Sequence, residues 1–235
     1  MRINKYIAEC GVASRRNADV LIKEGRVKLN GKIITSPGVD VCEENDSVSV
    51  DGIRISLPSD FTYIVFNKPK GCVTTVKDDK GRKTIFDFID IKKRLFPVGR
   101  LDYDSEGMLI LTNDGDLSFR LTHPSNEIPK TYTVKIEGDI LESDIAKLRG
   151  TVQLPGGGTS HHARIKKIET KDGFTKLQVT IYEGKNRQIR KMFESVGKNV
   201  VFLKRTAIGD FKLGGISRGS WRYLREEEIY YLKNI

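Results

Sequence analysis

The sequence predicts an α+β protein, in which a small α/β module is followed by a larger domain with a mainly antiparallel sheet. Two observations support this prediction. Residues 1–58 show two short helical patterns and then two hairpin patterns, and strand patterns dominate residues 61–235 without regular β-α-β alternation. Regular alternation with helices favours a parallel sheet, whereas strands without it favour antiparallel pairing. We therefore expect two domains, 1–58 and 61–235, joined by the proline-containing stretch 57–60.

The first domain is expected to contain two helices and two hairpins. A short helix is predicted over residues 4–9, and Ser14 is a suitable N-cap for a second helix that stops at Gly25. Short apolar alternations then flank two turns whose residue types favour tight hairpins, Asn30-Gly31 and Asp51-Gly52.

Strands and a few helices are expected in the second domain. Apolar runs or alternating apolar residues predict strands at residues 63–66, 108–112, 131–136 and 177–182. Helical spacing of apolar residues predicts helices at 143–148 and 186–196, and Asn186 is the expected N-cap of the second.

Positive charge is concentrated at the two ends of the chain. The net charge is +10, and residues 1–32 contribute eight Lys or Arg against three Asp or Glu, a net +5. Residues 33–58 have one Lys or Arg against five Asp or Glu, a net −4. Residues 183–225 have eleven Lys or Arg against three Asp or Glu, a net +8. Such clustering favours a polyanionic partner, of which a phosphate backbone is the commonest. Charge alone fits a solvated basic surface equally well, so the motifs must separate the two interpretations.

The composition disfavours several classes of protein. No stretch approaches the roughly 20 apolar residues that span a bilayer, and the N-terminus lacks the apolar core of a secretion signal, so we expect no membrane association and a cytoplasmic location. The three cysteines and three histidines lack metal-ligand spacing, so no metal site is expected. The sequence shows neither a phosphate-binding Gly-Lys-Ser/Thr loop nor a dinucleotide fingerprint. A monomer is the default expectation.

Basic and polar residues of the first domain form the first motif. Arg15 and Arg16 lie at the N-terminal turn of the second predicted helix, where backbone N–H groups and the helix dipole attract anions. The strings A-S-R-R-x-A-D and E-G-R-V-x-L-N-G-K resemble the alpha-L RNA-binding domain of ribosomal protein S-four, over about residues 1–58, and this resemblance implies binding to structured RNA. The residues expected to contact RNA here are Asn4, Lys5, Ser14, Arg15, Arg16, Arg26, Lys28, Asn30 and Lys32.

An acidic loop, G-R-L-D-Y-D-S-E-G over residues 99–107, forms the second motif. From the residues alone it has three interpretations: a calcium loop, the aspartyl nucleophile of a phosphatase, or an acidic turn that leads into a strand. The calcium interpretation is weak because the twelfth position is Asn113 rather than a bidentate Glu. The phosphatase interpretation is weak because Gly-Arg-Leu, rather than a buried apolar strand, precedes Asp102.

The longer string G-R-L-D-x-D-S-x-G-hhh-L-T-N-D-G, where h is apolar, is similar to the signature of the RsuA/RluB-type pseudouridine synthases. The resemblance extends over nearly the whole chain. It implies that Asp102 is the catalytic carboxylate, acting as nucleophile or base, and that Asp104 and Glu106 are turn residues.

The third motif is Lys130-Thr131-Tyr132. Strand alternation places Tyr132 on one face with Val134 and Ile136, and taken alone this pattern is typical of a core tyrosine. The same family has K-x-Y at this place. The resemblance therefore implies that Tyr132 stacks on the target uracil and is a candidate base for the final proton removal.

The fourth motif is E-G-K-N-R-Q-I-R-K-M over residues 183–192, which alone fits an amphipathic helix with a solvated basic face. The matching family motif implies an arginine that pairs with Asp102, with Arg190 as first candidate and Arg187 as second. Arg187 and Lys191 are further expected to contact RNA, and Arg100 is expected to fill the space that a flipped-out base leaves.

Taken together, the resemblance implies a ribosomal RNA pseudouridine synthase that needs no cofactor. Residues 205–222 look more similar to enzymes of the large subunit, so we predict a large-subunit target. Three alternatives stay open: the same reaction on small-subunit RNA, a non-catalytic RNA-binding or ribosome-assembly protein, and an aspartate-nucleophile phosphatase, which would need magnesium. The expected partner is ribosomal RNA in a ribosome-assembly intermediate.

Overall fold

The computed structural model describes residues 1–76 and 78–235 and divides into two compact units. The first unit comprises Met1–Thr62 with two short additions, Ile91–Leu95 and Asn113–Gly115. The second unit comprises Tyr63–Asp90, Phe96–Thr112 and Asp116–Ile235.

The first unit has two helices and a four-stranded antiparallel sheet. Its helices are α1 (Ile3–Glu9) and α2 (Arg15–Lys23), and its strands are β1 (Val27–Leu29), β2 (Lys32–Ile34), β3 (Val48–Val50) and β4 (Ile53–Ile55), in the order β2-β1-β3-β4. Ser14 accepts a hydrogen bond from the backbone N–H of Asn17 at 3.2 Å, so it caps α2 as the sequence predicts. Ile3, Ile7, Ile22 and Val27 are fully buried and form the core with their neighbours.

The second unit is built on a nine-stranded, mainly antiparallel sheet, which confirms the predicted fold class. Its main order is β11-β12-β8-β13-β7-β5-β15, while β6 pairs with β7 and β14 with β13. The strands are β5 (Tyr63–Lys68), β6 (Phe96–Pro97), β7 (Glu106–Thr112), β8 (Lys130–Glu137), β11 (Arg164–Lys171), β12 (Phe174–Ile181), β13 (Val200–Ile208), β14 (Phe211–Lys212) and β15 (Trp221–Tyr223). A separate pair consists of β9 (Val152–Gln153) and β10 (Thr159–Ser160).

Four helices accompany these strands in the described residues of the chain. They are α3 (Gly115–Thr122), α4 (Glu142–Arg149), α5 (Gln188–Glu194) and α6 (Glu226–Asn234), with 3₁₀ turns at Ile85–Phe88 and Pro124–Asn126. In the described part of the chain, no helix has the length and apolar character needed to cross a membrane.

The parallel pairing of β13 with β7 brings two distant segments of the chain together. Gly107 lies opposite Arg205 in this pairing and has a φ of 106°. A Cβ atom at position 107 would overlap the backbone of Arg205, so glycine is required there by space as well as by conformation. The close approach sets the loop that precedes β7 directly beside β13.

Two local predictions are wrong. The helix expected from Asn186 begins at Gln188, because Arg187 has a left-handed backbone with a φ of 51° and takes the N-cap position. Glu106 is the first residue of β7 and only 2% exposed, rather than a turn residue. Burial of its carboxylate is tolerated because Arg218 Nη2 lies 3.1 Å from its Oε1.

Candidate active site

The second unit contains a cavity of about 330 Å³ at the edge of the loop that precedes β7. The loop lines the cavity with Arg100 and Asp102, strand β8 with Tyr132, and the segment before α5 with Arg187. A cavity of this size lies at the lower end of the range for small-molecule sites, which fits a single nucleobase. The fold thus brings together four residues that the sequence analysis selected from three separate motifs.

The main chain at Asp102 is fixed by a buried lysine. Lys68, at the end of β5, is fully buried, and its ammonium donates hydrogen bonds to the carbonyl oxygens of Asp102 and Ser105, both at 2.9 Å, and of Pro69 at 3.1 Å. Burial lowers the pKa of Lys68, and the neighbouring acidic groups, Cys72 and then Asp102, oppose that shift. Three accepting carbonyls satisfy all three N–H groups, so the charge can stay buried.

The loop has a second anchor in Thr74. Its hydroxyl donates to the carbonyl oxygen of Leu101 at 2.7 Å and accepts from the backbone N–H of Leu101 at 3.3 Å. The Ser105 N–H donates to the Asp102 carbonyl oxygen at 3.1 Å and closes the turn. With the backbone held in this way, the Asp102 carboxylate has no hydrogen bond or ion pair within the described residues and remains available to a ligand.

Two arginines converge on Asp104 rather than on Asp102. Arg190 Nη2 lies 3.1 Å from Asp104 Oδ2, and Arg187 Nη1 lies 3.4 Å from Asp104 Oδ1. Arg190 also donates to the carbonyl oxygens of Val200 at 2.6 Å and Asp104 at 3.2 Å. The expected ion pair with Asp102 is therefore not the one formed in the structure. Burial lowers the pKa of Arg190, while the negative charges of Asp104 and Asp102 oppose the shift.

The segment before α5 is held by a buried glutamine. Gln188 donates from Nε2 to Ser160 Oγ at 2.8 Å and to Glu183 Oε1 at 2.7 Å, and its Oε1 accepts from the Lys185 N–H at 3.0 Å. These bonds orient the backbone that presents Arg187. Arg187 lines the cavity, whereas Arg190 and Lys191 are not among its lining residues.

Tyr132 and two basic residues face the cavity from neighbouring strands. Tyr132 is 8% exposed and lies opposite Arg205 in the pairing of β8 with β13. Lys130 is two residues earlier in β8, on the same face, and is 9% exposed. Arg205 is 4% exposed and donates from Nε to the Met108 carbonyl oxygen at 2.7 Å. Lys68, Lys130 and Arg205 were not among the predicted site residues. Lys130 stands in the K-x-Y motif but was given no role, and for Lys68 and Arg205 the only signal is a basic residue at a strand position.

In the first unit, the residues expected to contact RNA fall into two groups. Several are already engaged: Asn4 with Asp19, Lys5 with Glu9, Ser14 as the cap of α2, Arg26 with Asp51, and Asn30 with Asp46. The others are exposed and have no ion pair among the described residues: Arg15, Arg16, Lys28 and Lys32.

Comparison with known proteins bears directly on this arrangement. Residues 62–195 match the family model described as RNA pseudouridylate synthase, and residues 1–48 match the model described as S4 domain. The chain is 41% identical to the ribosomal large subunit pseudouridine synthase B of Bacillus subtilis (strain 168), over 99% of this chain and 95% of that protein. The chain belongs to the RNA pseudouridylate synthase family.

A second relative and a solved structure are also similar to this chain. An uncharacterized RNA pseudouridine synthase of Aquifex aeolicus (strain VF5) is 43% identical over 99% of this chain and 93% of its own length. A crystal structure described as a pseudouridylate synthase covers 99% of both chains with a TM-score of 0.72 and 33% identity. The chain is thus an RNA isomerase of this family, with an S4 domain at its N-terminus, as the resemblance implied.

Proposed function

We propose that this pseudouridine synthase isomerises a uridine of large-subunit ribosomal RNA at the cavity that Asp102 lines. The observation that carries the proposal is the meeting of Asp102, Tyr132 and Arg187 at one cavity, from three separate segments of the chain. The reaction breaks the bond between uracil N1 and ribose C1′, turns the base and joins C5 to C1′. Nothing is oxidised or added overall, so side chains alone can supply the chemistry.

Asp102 is proposed as the nucleophile or base of this reaction. A carboxylate that has no hydrogen bond or ion pair within the described residues is available for either role, and the bonds from Lys68 and Thr74 hold the backbone that carries it. Arg187 and Arg190, held on Asp104, place positive charge near the loop that bears Asp102. Tyr132 is proposed to stack on the base and to remove the last proton from C5.

The target base must leave its stack to reach Asp102, at a cost of a few kcal/mol. Stacking on an aromatic side chain such as Tyr132 returns about 1–3 kcal/mol. Arg100, which is exposed beside the cavity, is proposed to occupy the vacated space in the RNA. Lys191 and the exposed cations of the first unit are proposed to contact the surrounding phosphates.

The proposal of a large-subunit target rests on the printed name of the Bacillus subtilis relative and on its 41% identity over nearly the whole chain. The partner is proposed to be ribosomal RNA in a ribosome-assembly intermediate, bound by a monomeric, cytoplasmic enzyme. The alternatives are the same reaction on small-subunit RNA, and RNA binding without catalysis.

Release of tritium from uridine labelled at C5 tests these alternatives, because C5 loses its hydrogen when it bonds to C1′. The purified chain is incubated with labelled large-subunit or small-subunit RNA, with and without a metal chelator. We expect release from large-subunit RNA, at the same rate with chelator. Release from small-subunit RNA alone would change the target, and RNA binding without release from either would overturn the enzymatic proposal.

A further inference from the structure

Two buried cations at the cavity have no role in the reaction as proposed so far. Lys130 of β8 and Arg205 of β13 both line the cavity beside Tyr132. Lys130 lies opposite Ile208, and Arg205 lies opposite Tyr132, in the pairing of these two strands. The two cations therefore belong to the same wall of the cavity.

Neither cation is fully satisfied by the protein. The Lys130 ammonium has no hydrogen bond or ion pair within the described residues, although the residue is only 9% exposed. Arg205 donates from Nε to the Met108 carbonyl oxygen, but its buried Nη2 has no hydrogen-bond partner among the residues that the structure describes. An unpaired buried charge costs several kcal/mol, so the fold retains these two at the expense of stability.

A comparison with Lys68 shows that this arrangement is specific to the cavity. Lys68 is more deeply buried than Lys130, yet three carbonyl oxygens accept from its ammonium. Carbonyl oxygens of this domain can therefore satisfy a buried lysine, but within the described residues none accepts a hydrogen bond from Lys130. An acceptor from outside the protein is the natural complement to Lys130 and Arg205.

The other charged groups of the cavity do not pair with Lys130. Glu183 is engaged with Lys185 at 2.7 Å and with Gln188, and Asp102 forms no ion pair in the described part of the chain. Arg100 and Arg187 also line the cavity and add further positive charge to it. Burial, and then the charge of Arg205, lower the pKa of Lys130 to about 8, so near neutral pH most of the ammonium stays protonated.

The proposed reaction supplies an acceptor for these donors. When the C1′–N1 bond breaks, its electron pair stays on the base, and the negative charge spreads from N1 onto O2 and O4. If Asp102 first adds to C6, the displaced electron pair also reaches O4. Both routes increase the negative charge on an exocyclic carbonyl oxygen, and preorganised donors stabilise such charge most effectively in a site that excludes water.

We propose that Lys130, supported by Arg205, donates a hydrogen bond to an exocyclic carbonyl oxygen of the target uracil and stabilises the charge that the base acquires as its glycosidic bond breaks. This inference rests on the proposed isomerisation at the cavity. The electron pair returns from the base to form the C5–C1′ bond, C5 loses its proton to a base, and N1 gains one. Lys130 supplies a hydrogen bond and a charge, and it keeps its proton throughout.

The test combines Lys130→Met with a change in the substrate. Met keeps the length and apolar stem of Lys130 and removes the donor, and Lys135→Met is the matched control because Lys135 is exposed on the other face of β8. Single-turnover rates are measured at saturating enzyme on RNA whose target is uridine, 2-thiouridine or 4-thiouridine. We expect Lys130→Met to lower the uridine rate about 10²–10³-fold, as loss of an oxyanion donor does, with unchanged RNA affinity.

The thio substrates separate a direct contact from a structural effect. Sulfur is a poor hydrogen-bond acceptor, so replacing the contacted oxygen by sulfur weakens the bond from Lys130 in the wild type, whereas Lys130→Met has no such bond to lose. The effects of two changes at one contact are not additive. Thio substitution at that position should therefore slow the wild type at least about fivefold more than it slows Lys130→Met. The intrinsic effect of sulfur on the bond cancels in this ratio. An equal thio effect at both positions in both proteins, or a Lys130→Met rate within threefold of wild type, would overturn the inference.

Two controls keep these outcomes interpretable. A wild type that releases no tritium from any ribosomal RNA contradicts the proposed function, whereas an active wild type with an active Lys130→Met contradicts the role of Lys130 alone. If Lys130→Met does not fold, Lys130→Leu, which also lacks the donor, is compared with the wild type on the same thio substrates, and the same two outcomes would overturn the inference.

Discussion

The buried ammonium of Lys68 donates a hydrogen bond of 2.9 Å to the carbonyl oxygen of Asp102. The contact joins the end of β5 to the loop that presents the proposed catalytic carboxylate. Lys68→Met should remove a donor that three carbonyl oxygens share, and each unsatisfied acceptor costs about 1–3 kcal/mol. We expect a clear loss of stability in urea unfolding and a lower single-turnover rate with little change in RNA affinity. A stable, fully active variant would show that the loop keeps its geometry without Lys68.

Asp102→Asn should abolish isomerisation and leave RNA binding intact, since the amide keeps the size of the side chain and loses its charge. The measurement is tritium release under single-turnover conditions, together with the dissociation constant for labelled RNA. Asp172→Asn is the control, because Asp172 is an exposed residue of the β11–β12 turn and its positive φ suits asparagine. If Asp102→Asn retains more than a few per cent of the wild-type rate, the assignment fails.

Tyr132→Phe separates stacking from proton transfer. The ring remains able to stack, so a large loss must come from the hydroxyl, and loss of a general base typically costs about 10²–10⁴-fold. We expect a loss in that range, and no loss for Tyr230→Phe, whose side chain is exposed on α6. A nearly normal rate for Tyr132→Phe would restrict the residue to stacking.

Lys130 should make the stability of the enzyme depend on alkaline pH. Its folded pKa of about 8 lies below the ordinary value of 10.5, so between these values the unfolded chain binds more protons than the folded chain. The destabilisation is complete below pH 8 and is relieved as pH rises toward 10.5. Lys130→Met should therefore be more stable than wild type at pH 7, by roughly 1–3 kcal/mol, and the difference should shrink by pH 10. A constant difference in urea unfolding across this range would contradict the shift.

Exposed arginines of the first unit should contribute more to RNA binding than Arg26 does. Arg15→Gln and Arg16→Gln should each flatten the salt dependence of binding by about 0.7–0.9 per lost phosphate contact. Arg26→Gln should change the slope less, because Arg26 already forms a two-pronged pair with Asp51 at 2.6 and 2.7 Å. Titrations of labelled RNA at several salt concentrations give the slopes, and equal slopes for all three variants would refute the distinction.

Local signals were enough to predict most elements of the fold. Ser14 caps its helix, the Asn30 and Asp51 turns join the expected strands, and Tyr132 lies on the predicted face of β8. These features depend on a few neighbouring residues, and the relevant chemistry is present in the printed sequence. The start of α5 was misplaced because Arg187 has a left-handed backbone beside Gln188, whose bonds join this segment to Ser160, 28 residues away.

The proposed catalytic residues could be named from motifs, but their partners could not. Arg190 and Asp104 are 86 residues apart, and their contact depends on how β13, α5 and the loop before β7 pack. The burial of Lys130 and Arg205 is likewise a property of the sheet, since nothing in a basic residue within a strand pattern reveals whether it meets solvent, a carbonyl oxygen or a cavity.

The contact between Gly107 and the backbone of Arg205 has a consequence for protein engineering. Because the two main chains approach too closely for any side chain at position 107, the loop that bears Asp102 cannot be transplanted alone onto another scaffold. Residues 99–107 and the strand Val200–Ile208 must be exchanged as one unit, because they pack against each other. A chimera should also include Lys68, which ends β5 and holds the Asp102 backbone. To exchange target specificity between relatives, the surrounding loops should therefore be changed while this unit is kept intact.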